Sequence, residues 1–298
     1  MFGKRYYVII HNFCQQVEYN EVMDLTDPND LQLALRLSGI RPSKTLGQHF
    51  LVDRDSLNDI MKAGELTAHD TVLEIGPGLG VMTIPLTGRV KHVIAVEADK
   101  GMTELLARDR PKNLEIVEQD FTKFDLTQLP KNYKVVANIP YYLTSKIMRL
   151  LLESPNPPKV ISVLIQKEVA HRIAAAPGSM SVLALSVQYY GKPEVVGEVE
   201  RHKFWPPPKV DSAILKVALY DKPIFSADTG KLFRLIKAGF GEKRKMLRNS
   251  LAGGLNISIE LAAGLVKQAG LVPTARAQEL SLGQWEKLYT QAIKADIF

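Results

Sequence analysis

The sequence predicts an α/β fold, with a mostly parallel sheet covered by helices on both faces and a small all-helical C-terminal domain. Three observations carry this. Between Thr71 and Gln166, short β-branched runs alternate with helical patterns, the order that builds βαβ units. Runs such as Val135-Val136-Ala137 and Val160–Gln166 are continuously apolar, as strands buried on both faces are. After Tyr220-Asp221-Lys222-Pro223 the apolar residues recur at helical spacing to the end of the chain. The expected organisation is an N-terminal extension at 1–27, an α/β domain at 28–222 and a helical domain at 223–298.

Composition narrows the function. The 298 residues suffice for one large domain and a smaller one, and 46% hydrophobic with 23% charged residues is ordinary for a soluble globular protein. The single cysteine, Cys14, rules out an internal disulfide framework and a multi-cysteine metal site, and fits a reducing cytoplasm. No run approaches the roughly 20 apolar residues of a membrane helix. A net charge of +6 favours a polyanionic partner.

Taken in order, residues 1–27 match no motif and are expected to be partly disordered. Leu31–Leu37 is a helix stopped at Ser38-Gly39. Lys44–Asp53, with Gly47, Gln48, His49, Phe50 and Leu51, is either a loop folding over a ligand or a surface turn before the helix Ser56–Ala63. Strand Thr71–Ile75 runs into Gly76-Pro77-Gly78-Leu79-Gly80 and the helix Val81–Thr87, the geometry in which backbone approaches a nucleotide. The next strand, Val90–Val96, ends in Glu97 roughly twenty residues on, where a carboxylate can take both hydroxyls of a ribose. Val81 replaces the third glycine of the dinucleotide pattern, and no Lys-Ser/Thr of a phosphate loop follows. A nucleoside without a pyrophosphate fits better than NAD or ATP.

Helix Met102–Arg108 leads to strand Leu114–Glu118. Beyond it Asp120 either accepts from an adenine amine, with Phe121 beside the ring, or simply caps a turn. The strand Lys134–Ala137 delivers Asn138-Ile139-Pro140-Tyr141-Tyr142, followed by a helix from Thr144. An amide, the Ile139 carbonyl before Pro140 and an aromatic face suit a flat base with an exocyclic amine; the alternative is a proline-stiffened turn. Strand Val160–Gln166, helix Glu168–Ala175 and the apolar run Val182–Tyr190 come next. In Phe204-Trp205-Pro206-Pro207-Pro208 the prolines make a rigid loop, which either holds Phe204 outward for stacking or anchors it in the core. Strand Ala213–Leu219 closes the domain. Helices are expected at Lys231–Phe240, around Lys243–Asn249, at Ile257–Ala269 and at Ser281–Ala295. Lys243, Arg244, Lys245 and Arg248 face only Glu242, which favours contact with a phosphate backbone.

Together these stretches resemble one family, the ribosomal RNA adenine N6-dimethyltransferases, particularly the small-subunit (16S) branch linked to kasugamycin sensitivity. The matching pieces are Gly47–Leu51, Glu74–Gly80, Glu97, Asp120, Asn138–Tyr141, Gln166–Ala170, the Phe204-x-Pro206-x-Pro208-x-Val210-x-Ser212 loop, Lys243–Asn249 and Glu279–Leu282. They run from about Arg41 to Leu288. Two departures stand out: His49 replaces the Asn of many members, and residues 1–27 have no counterpart.

The resemblance implies a Rossmann-like class I methyltransferase sheet ending in an antiparallel hairpin around Val195–Leu219. It implies S-adenosyl-L-methionine as methyl donor, held by Gln48, His49, Leu51, Gly76, Gly78, Glu97, Asp120 and Asn138, with no metal. It places catalysis at Asn138, Ile139, Pro140 and Tyr141, with Phe204 sandwiching the flipped base against Tyr141, and RNA contacts at Lys243, Arg244, Lys245 and Arg248. The implied partner is small-subunit rRNA in a pre-30S particle, met by a cytoplasmic monomer without membrane contact. The expected activity is dimethylation of two adjacent adenosines in the 3′-terminal hairpin loop. The alternatives are a large-subunit enzyme of the antibiotic-resistance type and a non-catalytic nucleic-acid-binding relative.

Overall fold

The computed structural model describes residues 8–9, 22–42, 47–108, 110–242 and 245–298. The chain forms two compact units, Met1–Ala170 with Glu194–Leu219, and His171–Pro193 with Tyr220–Phe298. The last of the three crossings, between Leu219 and Tyr220, lies near the expected boundary at 222. Residues 171–193, expected in the α/β domain, belong instead to the helical unit.

The first unit opens with a short antiparallel pair, β1 (Val8–Ile9) and β2 (Val22–Met23), and helix α1 (Pro28–Ser38). Part of the segment expected to be a loose extension is packed. Met23 and Leu25 are buried in the unit's core, Asp24 pairs with Arg54, and Asp27 caps α1 through the Asn29 and Asp30 amides. Two apolar residues two positions apart are too few to register as a pattern. They are enough to tie the segment down.

Next come β3 (Phe50–Leu51), α2 (Arg54–Ala63), β4 (Thr71–Ile75), α3 (Thr83–Thr87), β5 (His92–Glu97), α4 (Lys100–Ala107), β6 (Leu114–Glu118), β7 (Lys134–Asn138), α5 (Thr144–Leu152) and β8 (Val160–Gln166). After helices α6 (Lys167–Ile173) and α7 (Val182–Tyr190) follow the strands β9 (Gly191–Val199), β10 (Phe204–Trp205) and β11 (Ser212–Leu219). The main sheet has the order β6-β5-β4-β7-β8-β11-β9. Strands β4 to β8 are parallel, and β11 returns antiparallel along β8. Val72, Val93, Val135, Val136, Ile161 and Val163 are fully buried, as continuous apolar strands require when helices cover both faces. From β4 the chain winds outward to β6, then returns to place β7 on the other side of β4. The crevice above the β4 and β7 ends is therefore the topological switch point, where open α/β sheets bind ligands.

The second unit holds α6 from His171 onward and α7, then α8 (Thr229–Phe240), α9 (Leu247–Leu255), α10 (Ile259–Gln268) and α11 (Leu282–Lys294). Its core joins Leu185, Tyr189, Leu232, Leu235, Leu251, Leu265 and Leu288 around the fully buried Trp285. The apolar run Val182–Tyr190 is thus a helix. Ala184, Leu185 and Tyr189 face the helical core, and an apolar character all round conceals its period. Helix α9 starts at Leu247, so Lys245 precedes it, and Lys243 and Arg244 lie outside the described residues.

Candidate active site

A cavity of about 360 Å³ opens at the switch point, within the range of small-molecule sites. Every residue expected to hold the donor lines it: Gln48, His49, Leu51, Gly76, Gly78, Glu97, Asp120 and Asn138. Ile139, Pro140 and Tyr141 line it too. Phe204 does not.

The cavity's floor is the turn after β4. Gly76 and Gly78 have φ of 68° and 55°, left-handed values that glycine adopts without strain. A Cβ on Gly78 would come within 2.9 Å of the Phe50 ring, so the bare Cα also makes room for the clasp described below. Helix α3 begins at Thr83, two residues later than expected.

Two carboxyls stand on adjacent strands beside this turn. Glu97 accepts hydrogen bonds from the backbone N–H of Gly78 (3.1 Å), Ala98 (2.8 Å) and Asp99 (2.9 Å). Burial pushes its carboxyl above the ordinary range, against the pull of these three donors. Glu74 is 1% exposed, and its Oε2 has no partner among the described residues. Burial, with the nearby charge of Glu97 adding to it, pushes Glu74 up to about 8, so it is neutral at pH 7.

Asp120 meets its capping reading, and its place on the cavity leaves the adenine-amine reading open. It caps a turn through the Thr122 amide (2.8 Å) and lines the cavity at an exposed position. The Thr122 N–H holds its carboxyl below the ordinary range, and Lys146 contributes to the same effect. One oxygen remains for a ligand.

Asn138 ends β7. Its Nδ2 donates to the His49 carbonyl at 2.8 Å, which leaves Oδ1 as an acceptor. The Ile139 amide donates to the Leu164 carbonyl at 3.1 Å, fixing the backbone from which the Ile139 carbonyl projects. Tyr141 is held by a 2.7 Å hydrogen bond between its hydroxyl and Ser212 Oγ, and its ring stacks with His49 at 6.1 Å between centroids.

The loop carrying His49 is part of a clasp. β3 pairs antiparallel with β10, Leu51 opposite Phe204 and Phe50 opposite Trp205. Val52 N–H donates to the Lys203 carbonyl (2.8 Å), Lys203 pairs with Asp53 (3.0 Å), and His49 Nδ1 lies 2.7 Å from the Pro206 carbonyl. Pairing turns the Phe204 side chain inward. It is 2% exposed, in the core with Phe50 and Leu51, which corrects the expectation that the loop holds it outward. Lys44, Thr45 and Leu46 lie outside the described residues.

In the second unit Lys245 pairs with Glu242 at 2.6 Å, and Arg248 is half-buried, with Nε enclosed and without a partner among the described residues. Sequence reasoning gave no role to Glu74, Tyr142 or Lys146, all of which line the cavity. Glu74 had a signal in its place at the head of the Gly-rich turn. Tyr142 and Lys146 had only their spacing after Asn138. Among the described residues no group of three His, Cys, Asp or Glu side chains forms a metal cluster.

The switch-point cavity, the Gly-rich turn and the acidic strand ends define an α/β methyltransferase of class I type. The structure is similar to a dimethyladenosine transferase from Plasmodium falciparum (TM-score 0.70, 27% identity, 83% of this chain and 98% of that one). It is also similar to the 23S rRNA methyltransferase ErmE (TM-score 0.65, 28% identity, 81% and 98%). The profile of the family "Ribosomal RNA adenine dimethylase" matches residues 40–294, and the chain belongs to that family. Its relatives include proteins named ribosomal RNA small subunit methyltransferase A. That of Dehalococcoides mccartyi strain 195 is 44% identical over 255 residues, covering 84% of this chain and 88% of its own. That of Nostoc sp. is 40% identical over 265 residues, covering 84% and 97%.

Proposed function

We propose that the protein uses S-adenosylmethionine to dimethylate the N6 amines of adenosines in small-subunit (16S) rRNA. The observation that carries the chemistry is the Asn138 clamp: its amide nitrogen is tied to His49, so Oδ1 stands as an acceptor beside the Ile139 carbonyl and the Tyr141 ring. An adenine amine is a weak nucleophile because its lone pair is delocalised into the ring. Two acceptors can hold its two N–H groups and favour a pyramidal nitrogen, while Tyr141 stacks on the flipped base. This positioning needs no strong general base.

The residues present fit the methyl donor. Glu97 keeps one lone-pair site, on Oε2, beyond its three backbone bonds for a ribose hydroxyl, Asp120 has an oxygen for an adenine amine, and Gly76 and Gly78 allow close backbone approach. When bound, S-adenosylmethionine supplies an electrophilic methyl on a sulfonium. Its positive charge is compatible with a cavity whose Asp120 is ionised at neutral pH.

The finer reading is two adjacent adenosines of the 3′-terminal hairpin loop, each receiving two methyls in a pre-30S particle. The protein would act there as a cytoplasmic monomer. No helix among the described residues is long and apolar enough to cross a membrane. Lys243, Arg244, Lys245 and Arg248 are proposed to pair with phosphates of the RNA. Replacing all four with Gln should flatten the salt dependence of RNA binding by up to about 0.9 for each phosphate no longer neutralised.

The likeness to ErmE keeps a large-subunit substrate as a second reading. Identities of 40–44% to small-subunit proteins favour the first. A methyl-transfer assay on undermethylated small subunits, large subunits and naked RNA separates them. Transfer to small-subunit adenosines is expected, and transfer to large subunits alone would overturn the assignment.

A further inference from the structure

Two consecutive tyrosines part company at the cavity. Tyr141 turns inward to Ser212, whereas Tyr142 is 62% exposed and still lines the cavity. The backbone beneath Tyr142 is fixed, because Leu143 N–H donates to the Pro140 carbonyl (2.9 Å) and Thr144 Oγ1 to the Tyr141 carbonyl (3.1 Å). One ring edge is backed by the clasp: a Cβ on Gly47 would lie 3.7 Å from Cδ1 and Cε1. Four residues on, Lys146 is exposed, lines the same cavity and is near enough to act on the charge of Asp120. An aromatic face beside a cation is what a nucleotide needs, the base on the ring and the phosphate on the ammonium.

We propose that Tyr142 and Lys146 form a second nucleotide subsite, which holds the base next to the target adenosine and pairs with its phosphate. It rests on the adenine-methylating reading above. Flipping one base out of a stack leaves its neighbour without a stacking partner. An exposed ring on a fixed backbone, one residue beyond the tyrosine that would hold the flipped base, replaces that partner. Where two adenosines are adjacent, the subsite parks the one awaiting methylation.

The test crosses enzyme variants with substrate variants. Small subunits are reconstituted with rRNA in which the nucleotide next to the target adenosine carries either its base or an abasic ribose. The wild type should lose on the order of ten-fold in KM when that base is removed. Tyr142→Ala should show the same loss on the intact substrate and no further loss on the abasic one, while Tyr142→Phe should behave as wild type. Lys146→Gln should flatten the salt dependence of binding by about 0.7, the value for one single-strand phosphate. Penalties that simply add, or a wild type indifferent to the neighbouring base, would overturn the subsite. No transfer by the wild type to either substrate would overturn the functional reading itself, and the subsite with it.

Discussion

The strand ends and the clasp meet the same cavity but are built in opposite directions. At the strand ends the backbone comes first. Gly76 directly follows β4, Glu97 and Asn138 are the last residues of β5 and β7, and Asp120 stands just beyond β6. Their chemistry is displayed wherever the sheet forms. The clasp works from side chains inward: β3 and β10, two residues each and far apart in sequence, pair so that Phe50, Leu51 and Phe204 enter the core. What faces the cavity there is mostly the consequence of that burial. The strand ends therefore supply groups that touch the ligand, and the clasp supplies their positions.

The largest expected effect lies within the strand ends and separates their two carboxyls. A carboxyl raised from 4.5 to about 8 favours the folded state most fully below pH 4.5, and loses that advantage as pH rises to about 8. Across this window the native protein binds more protons than the unfolded chain. Stability relative to Glu74→Gln should fall by up to about 5 kcal/mol. Denaturant unfolding of both proteins from pH 4 to pH 9 spans this window, and a difference independent of pH would mean that Glu74 is not held neutral.

Phe204→Ala strikes the clasp. Truncating a buried Phe costs about 3–5 kcal/mol, so the variant should unfold at markedly lower denaturant. Phe204→Leu sharpens the comparison, because it refills most of the space at a cost of about 1 kcal/mol. As an anchor, Phe204→Leu should keep near-normal single-turnover transfer. A stable Phe204→Leu protein with transfer reduced ten-fold or more would restore Phe204 to a stacking role.

These two residues show where sequence reading stops. The β-branched runs at Val72, Val93, Val135 and Ile161 announced the parallel strands, because burial on both faces leaves a compositional trace. With the strands came the positions of Gly76, Glu97, Asp120 and Asn138. Phe204 sat beside prolines that said only that its loop was stiff. Whether the ring pointed in or out depended on pairing with Phe50 and Leu51, in a strand too short to carry any period. The neutrality of Glu74 was hidden likewise, since nothing in Leu73-Glu74-Ile75 states how completely the carboxyl is enclosed. The run Val182–Tyr190 was ambiguous for another reason: a helix apolar on nearly every side has no period to read.

Asn138 joins the two halves, being a strand-end residue held by a clasp carbonyl. Asn138→Ala should slow single-turnover transfer by roughly 10²–10³ at saturating substrate, the usual loss for a preorganised polar group acting in the transition state. Donor affinity is measured alongside so that saturation is secured. Transfer at the wild-type rate would reduce the stretch to a structural turn.

At Glu97 the comparison is with its own backbone partners. Glu97→Ala would empty three N–H bonds as well as any ribose contact and confuse the two. Glu97→Gln keeps an acceptor for the Ala98 and Asp99 N–H groups and gives up only the Gly78 bond, turning a donor toward the ligand. S-adenosylmethionine affinity should fall by roughly 1–3 kcal/mol with the fold intact. Calorimetry showing unchanged affinity would remove Glu97 from the donor site.

The smallest effect tests whether the inner tyrosine depends on positioning. Tyr141→Phe keeps the stacking face and deletes the bond to Ser212, and Ser212→Ala deletes the same bond from the other side. A neutral hydrogen bond contributes about 1 kcal/mol. Each variant should therefore slow transfer only a few-fold. If the bond acts solely by orienting the ring, the double variant should be no slower than the worse single one, since neighbouring changes that remove one shared interaction are not additive. Tyr141→Ala should lose considerably more, because the base then loses a face worth about 1–3 kcal/mol. Were Tyr141→Phe as slow as Tyr141→Ala, the hydroxyl rather than the ring would be the working part. The role of Ser212 would then pass from holding an aromatic surface to tuning a group that touches the substrate.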